Sequence, residues 1–235
     1  MRVLGPCRSL RYRRPALHPE PRVPAIDLDT WPRRAIHDFF LGFEDPWFNL
    51  TAEVEVGPTW RACREHDAPF SLACWFAILR AAAIVPELRM RLRPGGVWLH
   101  DRVRVGATAL RPDQSFTYVH YADAPTFSAF VEHAQVELAA RLQAPGLEPG
   151  TGDDAVLHCT VVPWVRFTGI KHARAGGAGD SIPKIALGRA TPVGEQVRLP
   201  VSLQGHHSLI DGVHAGAFFQ ALEGIFEKPE EVFGW

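Results

Sequence analysis

The sequence lacks any apolar run approaching the roughly 20 residues needed to span a bilayer, so no membrane segment is expected. It also lacks an excess of charge of one sign. Against 25 Lys and Arg stand 26 Asp and Glu, a formal charge of −1 over 235 residues. No field strong enough to gather nucleic acid follows from that balance. Cysteine is scarce, with four residues at positions 7, 63, 74 and 159 and no C-x-x-C pair. This spacing excludes a zinc-ribbon pattern and a dense disulfide framework. Cys63 and Cys74 flank and enter an apolar stretch, where buried reduced thiols are expected, and a reducing cytoplasm suits them. Internal repeats, low-complexity tracts and interdomain linkers are absent too.

What is present is the ordinary globular mixture, 46% hydrophobic and 22% charged, which rules out wholesale disorder, coiled coil and collagen. A chain of this length buries about 70–75% of its unfolded surface and needs no metal or disulfide to fold. The N-terminal stretch MRVLGPCRSLRYRR carries five arginines. It has no apolar core of about 7–15 residues and no small-residue cleavage site, so it fails as a secretory signal. Residues 1–25 are expected to form an irregular basic leader and residues 26–235 a single domain.

Periodicity sets the elements. Residues 29–43 offer a cap and a helical run, with Pro32 in the first turn, where proline is tolerated. Residues 69–85 are nearly all apolar, and at that length a buried helix outcompetes a strand. Residues 125–143 carry Phe127, Phe130, Val131, Ala134 and Leu138 at helical spacing. The last helix is expected over 212–227, with Ala215, Phe218, Phe219, Leu222 and Phe226 facing a core. Strand-like runs fall at 51–56, 96–105, 116–121, 156–163, 182–187 and 196–204, bounded by turn residues. A turn-rich loop covers 143–154. The sum is one mixed α/β domain.

The sharpest local feature is His206-His207-Ser208-Leu209-Ile210-Asp211-Gly212, placed between a strand and a helix. Loops that follow strands present reactive side chains on a rigid base, and histidine is the side chain best suited to proton transfer at neutral pH. Three readings stay open on the residues alone. One histidine is a catalytic base; or one is a satisfied buried ring and Asp211 merely caps the helix; or His206, His207, Asp211 and His214 hold a metal. Loose spacing and the absence of a joining cysteine or second carboxylate disfavour the metal.

The H-H-x-x-x-D-G run resembles the signature of CoA-dependent acyltransferases, and the wider chain resembles the chloramphenicol acetyltransferase family. The matching stretches occur in the family's order. They are Trp31-Pro32-Arg33-Arg34, Pro86-Glu87-Leu88-Arg89-Met90, Ser115-Phe116-Thr117, Pro163-Trp164-Val165-x-Phe167 and the Gly212-Val213-His214-x-Gly216 continuation of the motif. Together they span nearly everything from Asp29 to Glu227.

The resemblance implies a two-layer sandwich of a mixed β-sheet with helices and a homotrimer with active sites between subunits. It implies acetyl-CoA as a cosubstrate, no permanently bound cofactor, no metal, and chloramphenicol or a related small alcohol as acceptor. His207 matches the general base that takes the acceptor's hydroxyl proton, for direct attack on the thioester. Asp211 matches a residue that pairs with an arginine, here Arg33, and holds the site's shape; His206 takes a supporting role. Thr160 stands where a serine donates to the oxyanion. Arg189 matches a lysine near the cofactor's phosphates, and Phe39, Phe40 and Phe48 fall in the acceptor-pocket segment.

Besides Thr160 in place of the serine and Phe40 in place of a tyrosine, two further positions depart from the pattern. Ala186 replaces a water-ordering threonine, and Ala190 replaces a tyrosine that lies against the CoA adenine. They motivate a second hypothesis, a weakly active or idle relative that serves as a trimeric small-molecule-binding protein. The acyltransferase core of a 2-oxoacid dehydrogenase complex shares fold and motif but carries a lipoyl domain and a swinging linker. Peptide-synthetase condensation domains need about twice this length.

Overall fold

The computed structural model describes residues 24–147, 152–174 and 180–235. Cys7 and most of the basic leader lie outside them. Within the 143–154 loop so do residues 148–151. In chain order the elements are α1 (Arg34–Leu41), β1 (Trp47–Glu55), α2 (Gly57–Glu65), α3 (Phe70–Ile84), β2 (Met90–Arg93) and β3 (Gly96–Leu99). There follow β4 (Arg104–Leu110), β5 (Phe116–Tyr121), α4 (Phe127–Gln143), β6 (Val156–Val161) and β7 (Lys184–Leu187). The chain closes with β8 (Thr191–Val193), β9 (Gln196–His206), α5 (Gly212–Glu227) and α6 (Pro229–Phe233).

The main sheet is ordered β1-β9-β7-β6-β4-β5, with β8 also paired to β9. The β4–β6 and β6–β7 pairs are parallel and the other pairs of this sheet antiparallel. A small ribbon of β2 and β3 stands apart. Helices pack against the main sheet as one layer, giving the mixed α/β sandwich. The sequence of α3, FSLACWFAILRAAAI, is apolar around almost its whole circumference, Arg80 excepted. It is buried along most of its length because α2, α4 and α5 flank it and β4 lies beneath. Pro69 precedes it and Pro86 ends it, since proline cannot continue the ladder. Cys63, Cys74 and Cys159 are free thiols inside this core, and burial pushes the Cys63 thiol up to about 11.

Several boundaries differ from those the sequence predicts. Helix α1 begins only at Arg34, two residues past Pro32, because the preceding residues fold into turns. Asp27 takes a bond from the Asp29 N–H at 3.1 Å and one from the Thr30 hydroxyl at 2.9 Å. Of the run expected at 96–105, only 96–99 form β3, and β4 starts at its last two residues and continues to Leu110. The Arg89 guanidinium binds the carbonyl of His100 at 2.6 Å and that of Asp101 at 3.0 Å, bending the chain between β3 and β4. Strand β1 starts at Trp47, ahead of its alternating stretch, because β9 pairs with all nine of its residues. Two residues of the expected leader pair with β3: the Leu99 N–H donates to the Pro24 carbonyl at 3.2 Å and Ala25 bridges to Trp98.

Cross-strand register divides the sheet into two unlike faces. Val54, Leu199, Val201, Leu203, Ile185 and Leu157 point to the helices and are buried. The opposite face is polar. One row across it reads Asn49, Gln204, Lys184, His158, Gly106, His120. The neighbouring row includes Thr51, Ser202, Ala186 and Thr160, and beyond them Thr108 opposite Tyr118. The connection from β6 to β7 crosses this face. Its Ile170 carbonyl accepts from Asn49 Nδ2 at 2.6 Å, and Arg166 grips Glu53 in a two-point ion pair at 2.6 and 2.7 Å.

Candidate active site

Strand β9 ends at His206, and the turn that follows delivers His207 to the mouth of α5. The two histidines have different surroundings. His206 is buried against Trp47. Its Nδ1 accepts from the Ser208 N–H at 3.3 Å and lies 2.8 Å from the Ser208 hydroxyl. Burial pushes the ring down to about 4, with the neighbouring His37 adding to the effect. It is therefore a neutral structural ring. His207 is anchored by its backbone, whose N–H donates to the Pro46 carbonyl at 2.6 Å. Its imidazole lies flat on Phe40, with ring centres 3.8 Å apart and planes 7° from parallel, and Phe48 leans on it at 5.0 Å. The Nδ1 atom of His207 is buried and has no partner among the described residues.

Asp211 does two things at once. It caps α5, accepting from the Val213 N–H at 3.0 Å, while its own N–H donates to His214 Nδ1 at 3.1 Å. That is a capping box with histidine in the place usually held by Glu or Gln. Its second carboxylate oxygen meets Arg33 Nη1 in an ion pair. Burial works to raise the Asp211 pKa, but the Arg33 hydrogen bond and the His214 charge outweigh it, and the carboxyl sits below its usual range. Arg33 directly precedes α1, and α1 carries Phe40. The ion pair thus ties the start of α1 to the start of α5 and holds the Phe40 ring where it meets His207. Phe39 is 63% exposed and contacts the rings of Phe40 and Phe43 rather than His207.

Thr160 is in another place. It lies on the polar face, its Oγ1 3.4 Å from that of Thr108, in the wall of a cavity of about 410 Å³. Thr160, Ala186 and Ser202 are aligned across β6, β7 and β9. His207 lies two strand spacings away and five residues farther along, roughly 19 Å from Thr160 at standard strand dimensions. Within one chain the two groups do not meet. Arg189 and Ala190 line a separate cavity of about 270 Å³ floored by Phe70, Trp75 and Leu199. Ala186 is fully buried beside Thr160. Among the described residues no group of three His, Cys, Asp or Glu side chains is arranged to hold a metal ion.

The Thr160 cavity brings in residues that sequence reasoning missed: His120, His158, His172 and Lys184. The alternation of FTYVHY puts Tyr118 and His120 on one face of β5, a partial signal; their alignment with β6 and β7 depends on register. Burial lowers the pKa of all three imidazoles, that of His158 to about 4 with help from the Lys184 charge. Burial also lowers that of Lys184, against the pull of Asp180 3.1 Å away.

Comparison with known proteins places the fold. The family model for chloramphenicol acetyltransferase matches residues 22–223. A chloramphenicol acetyltransferase of Streptomyces acrimycini is 30% identical over 216 residues, covering 90% of this chain and 97% of its own. One from Staphylococcus aureus is 24% identical, covering 88% and 96%. A solved chloramphenicol acetyltransferase superposes with a TM-score of 0.80 at 25% identity, over 87% of this chain and 99% of that one. A dihydrolipoamide acetyltransferase of Azotobacter vinelandii shares the fold at a TM-score of 0.61 and 15% identity, over 98% of this chain and 99% of that one. Fold and site define an acyltransferase of mixed α/β architecture. Within that class, the chain belongs to the chloramphenicol acetyltransferase family.

Proposed function

We propose that the protein transfers the acetyl group of acetyl-CoA to a hydroxyl of a small alcohol, with His207 as general base. Chloramphenicol is the compound for which its relatives are named, and it is the first acceptor to test. An alcohol holds its proton about as tightly as water, with a pKa of roughly 16. The reaction therefore needs a base that removes the proton as the oxygen attacks. The hydroxyl oxygen forms a bond to the thioester carbon, its proton passes to His207, and collapse of the tetrahedral intermediate expels CoA as thiol, which takes that proton.

One observation carries this reading. Of the three histidines at 206, 207 and 214, the first and last have Nδ1 occupied by local backbone bonds. His207 is held by stacking, with Nδ1 left unpartnered among the described residues. It is positioned without being consumed.

Thr160 is the proposed donor to the oxyanion, commonly the largest single contribution in acyl transfer. Its distance from His207 in one chain supports a site completed by Thr160 of a neighbouring subunit, and hence a homotrimer with cyclic closure. Acetyl-CoA is proposed to lie along Arg189 and Ala190. Three buried free thiols support a reducing compartment, and the cytoplasm is the proposed location. The test is thiol release from acetyl-CoA with and without chloramphenicol, with the ester identified by mass spectrometry. His207→Ala is expected to lower turnover by about 10²–10⁴-fold while the protein stays folded. Retention of more than half the rate would sink the assignment.

A further inference from the structure

Two stretches of the sequence, Pro86-Glu87-Leu88-Arg89 and Gly212-Val213-His214, have no part in the acetyl transfer proposed above, yet they meet at one point. The turn that presents His207 is held through its backbone N–H groups. Those of Leu209 and Ile210 donate to the His206 carbonyl at 2.9 and 3.0 Å, and that of His207 to Pro46. The other two rely on imidazoles, Ser208 on His206 Nδ1 and Asp211 on His214 Nδ1. His206 ends β9 and packs on Trp47. His214 sits in the first turn of α5, and a ring bonded at one nitrogen alone can swing about that bond.

Glu87 supplies the second hold. Its Oε1 lies 3.5 Å from His214 Nε2, and the two side chains are only 18% and 16% exposed. Glu87 stands on a fixed platform, the short 3₁₀ helix Pro86–Arg89 between α3 and β2. Leu88 is buried in the core. Arg89 Nε donates to the Ala82 carbonyl at 3.0 Å, and Arg91 Nη1 to the Leu88 carbonyl at 2.9 Å. Among the described residues the Glu87 carboxylate faces no other cation. On the far side of the ring, His214 Nδ1 lies 3.1 Å from the Asp211 nitrogen and 3.0 Å from Asp211 Oδ1. A backbone N–H only donates, so a neutral ring accepts it at Nδ1 and carries its hydrogen on Nε2. A charged ring carries hydrogen on both nitrogens and donates to both carboxylates. In either state the Nε2 hydrogen points at Glu87. Asp211 Oδ2 meanwhile takes Arg33, so α1, α5 and the Pro86–Arg89 helix converge on Asp211.

We propose that Glu87 and His214 are positioning residues for acetyl transfer. Glu87 holds the His214 ring through Nε2, the ring holds the Asp211 end of the turn, and the turn holds His207. This rests on the acetyl-transfer reading above. A misplacement of about 1 Å can cost about 10²-fold in rate, so a loosened turn is read as lost turnover rather than lost binding.

The test measures CoA release from acetyl-CoA with chloramphenicol, with thermal midpoints taken alongside to confirm folding. His214→Leu removes both bonds and should lower kcat by roughly 10–100-fold while both KM values stay within about twofold. Glutamine is a usual residue at this place in a capping box. Its amide can accept from Asp211 and donate to Glu87, so His214→Gln should recover most of the loss. Glu87→Leu leaves the Asp211 bond in place and should lower kcat by roughly 2–10-fold; Glu87→Gln keeps an acceptor and should lose less. Because Glu87 acts through His214, the double leucine variant should be no slower than His214→Leu alone. Should His214→Leu not fold, Glu87→Leu against Glu87→Gln decides. Proton–nitrogen NMR correlations of the wild-type imidazoles should show a hydrogen on His214 Nε2. A bare Nε2, equal losses in the leucine and glutamine variants, or a loss confined to KM overturns the proposal and leaves acetyl transfer standing. If the wild type forms no ester, acetyl transfer to this acceptor falls and the positioning role with it.

Discussion

The Arg33–Asp211 ion pair makes the most searching test of how the site is held. Its side chains are 14% and 22% exposed, so it lies between a surface pair, worth at most about 1 kcal/mol, and a fully buried one, where losing a partner costs about 3–5 kcal/mol. Loss of a charge-assisted hydrogen bond in that middle ground costs about 1.5–3 kcal/mol. Arg33→Ala should cost that much. Asp211→Ala also loses the cap on Val213 N–H, about 1 kcal/mol more, for a total of about 2.5–4 kcal/mol. Asp211→Asn keeps a capping oxygen and should match Arg33→Ala instead. For a chain of this size 1 kcal/mol moves the thermal midpoint by about 2–4 °C, so Arg33→Ala is expected to lower it by roughly 3–12 °C. The double variant Arg33→Ala/Asp211→Ala should fall short of the summed singles by about 1–2 kcal/mol, as residues in contact do. Thermal unfolding followed by circular dichroism reads this, at one fixed protein concentration because assembly adds to apparent stability. The sign with pH follows from the lowered carboxyl. The pair's contribution is present above the unfolded aspartate value of about 4 and is lost as pH falls through the folded value, so the cost of Arg33→Ala should shrink in acid. Strict additivity of the two alanine variants would refute the contact.

Three further outcomes are expected. Thr160→Ala should lose about 10²–10³ in kcat and Thr160→Ser should keep most of it; co-expressed His207→Ala and Thr160→Ala chains should recover part of the activity, and no recovery in mixed assemblies would place both groups in one chain's site. His206 has a folded pKa near 4 against about 6.5 unfolded, so its contribution is present above 6.5 and should be lost as pH falls from 6.5 to 4; a thermal midpoint flat across that window would contradict its burial. Ala190→Tyr should lower the KM for acetyl-CoA by roughly one to two powers of ten, by analogy with base–aromatic stacking worth about 1–3 kcal/mol; a raised KM would put the cofactor elsewhere.

Local chemistry was legible in the chain itself. Helix α5 has the bounds that its apolar spacing and Asp211 cap predict, and β5 those of FTYVHY, because caps and alternation act within a few residues. The apolar run of α3 declared a buried helix for the same reason, and the H-H-x-x-x-D-G run marked the turn that presents His207. Elements of weaker local signal, α2, β2, β8 and α6, escaped notice, since packing rather than periodicity stabilises them.

Tertiary structure alone decided the rest. The Phe40 ring reaches His207 only because an ion pair spanning 178 positions draws α1 onto α5. Thr160 and His207, both matched through the family resemblance, lie two strands apart and at different levels of the sheet. His120, His158, Lys184 and His172, scattered over more than fifty positions, converge on one cavity. Cross-strand register sets the last two relations, and register is a property of pairing between distant segments that no single stretch of sequence contains.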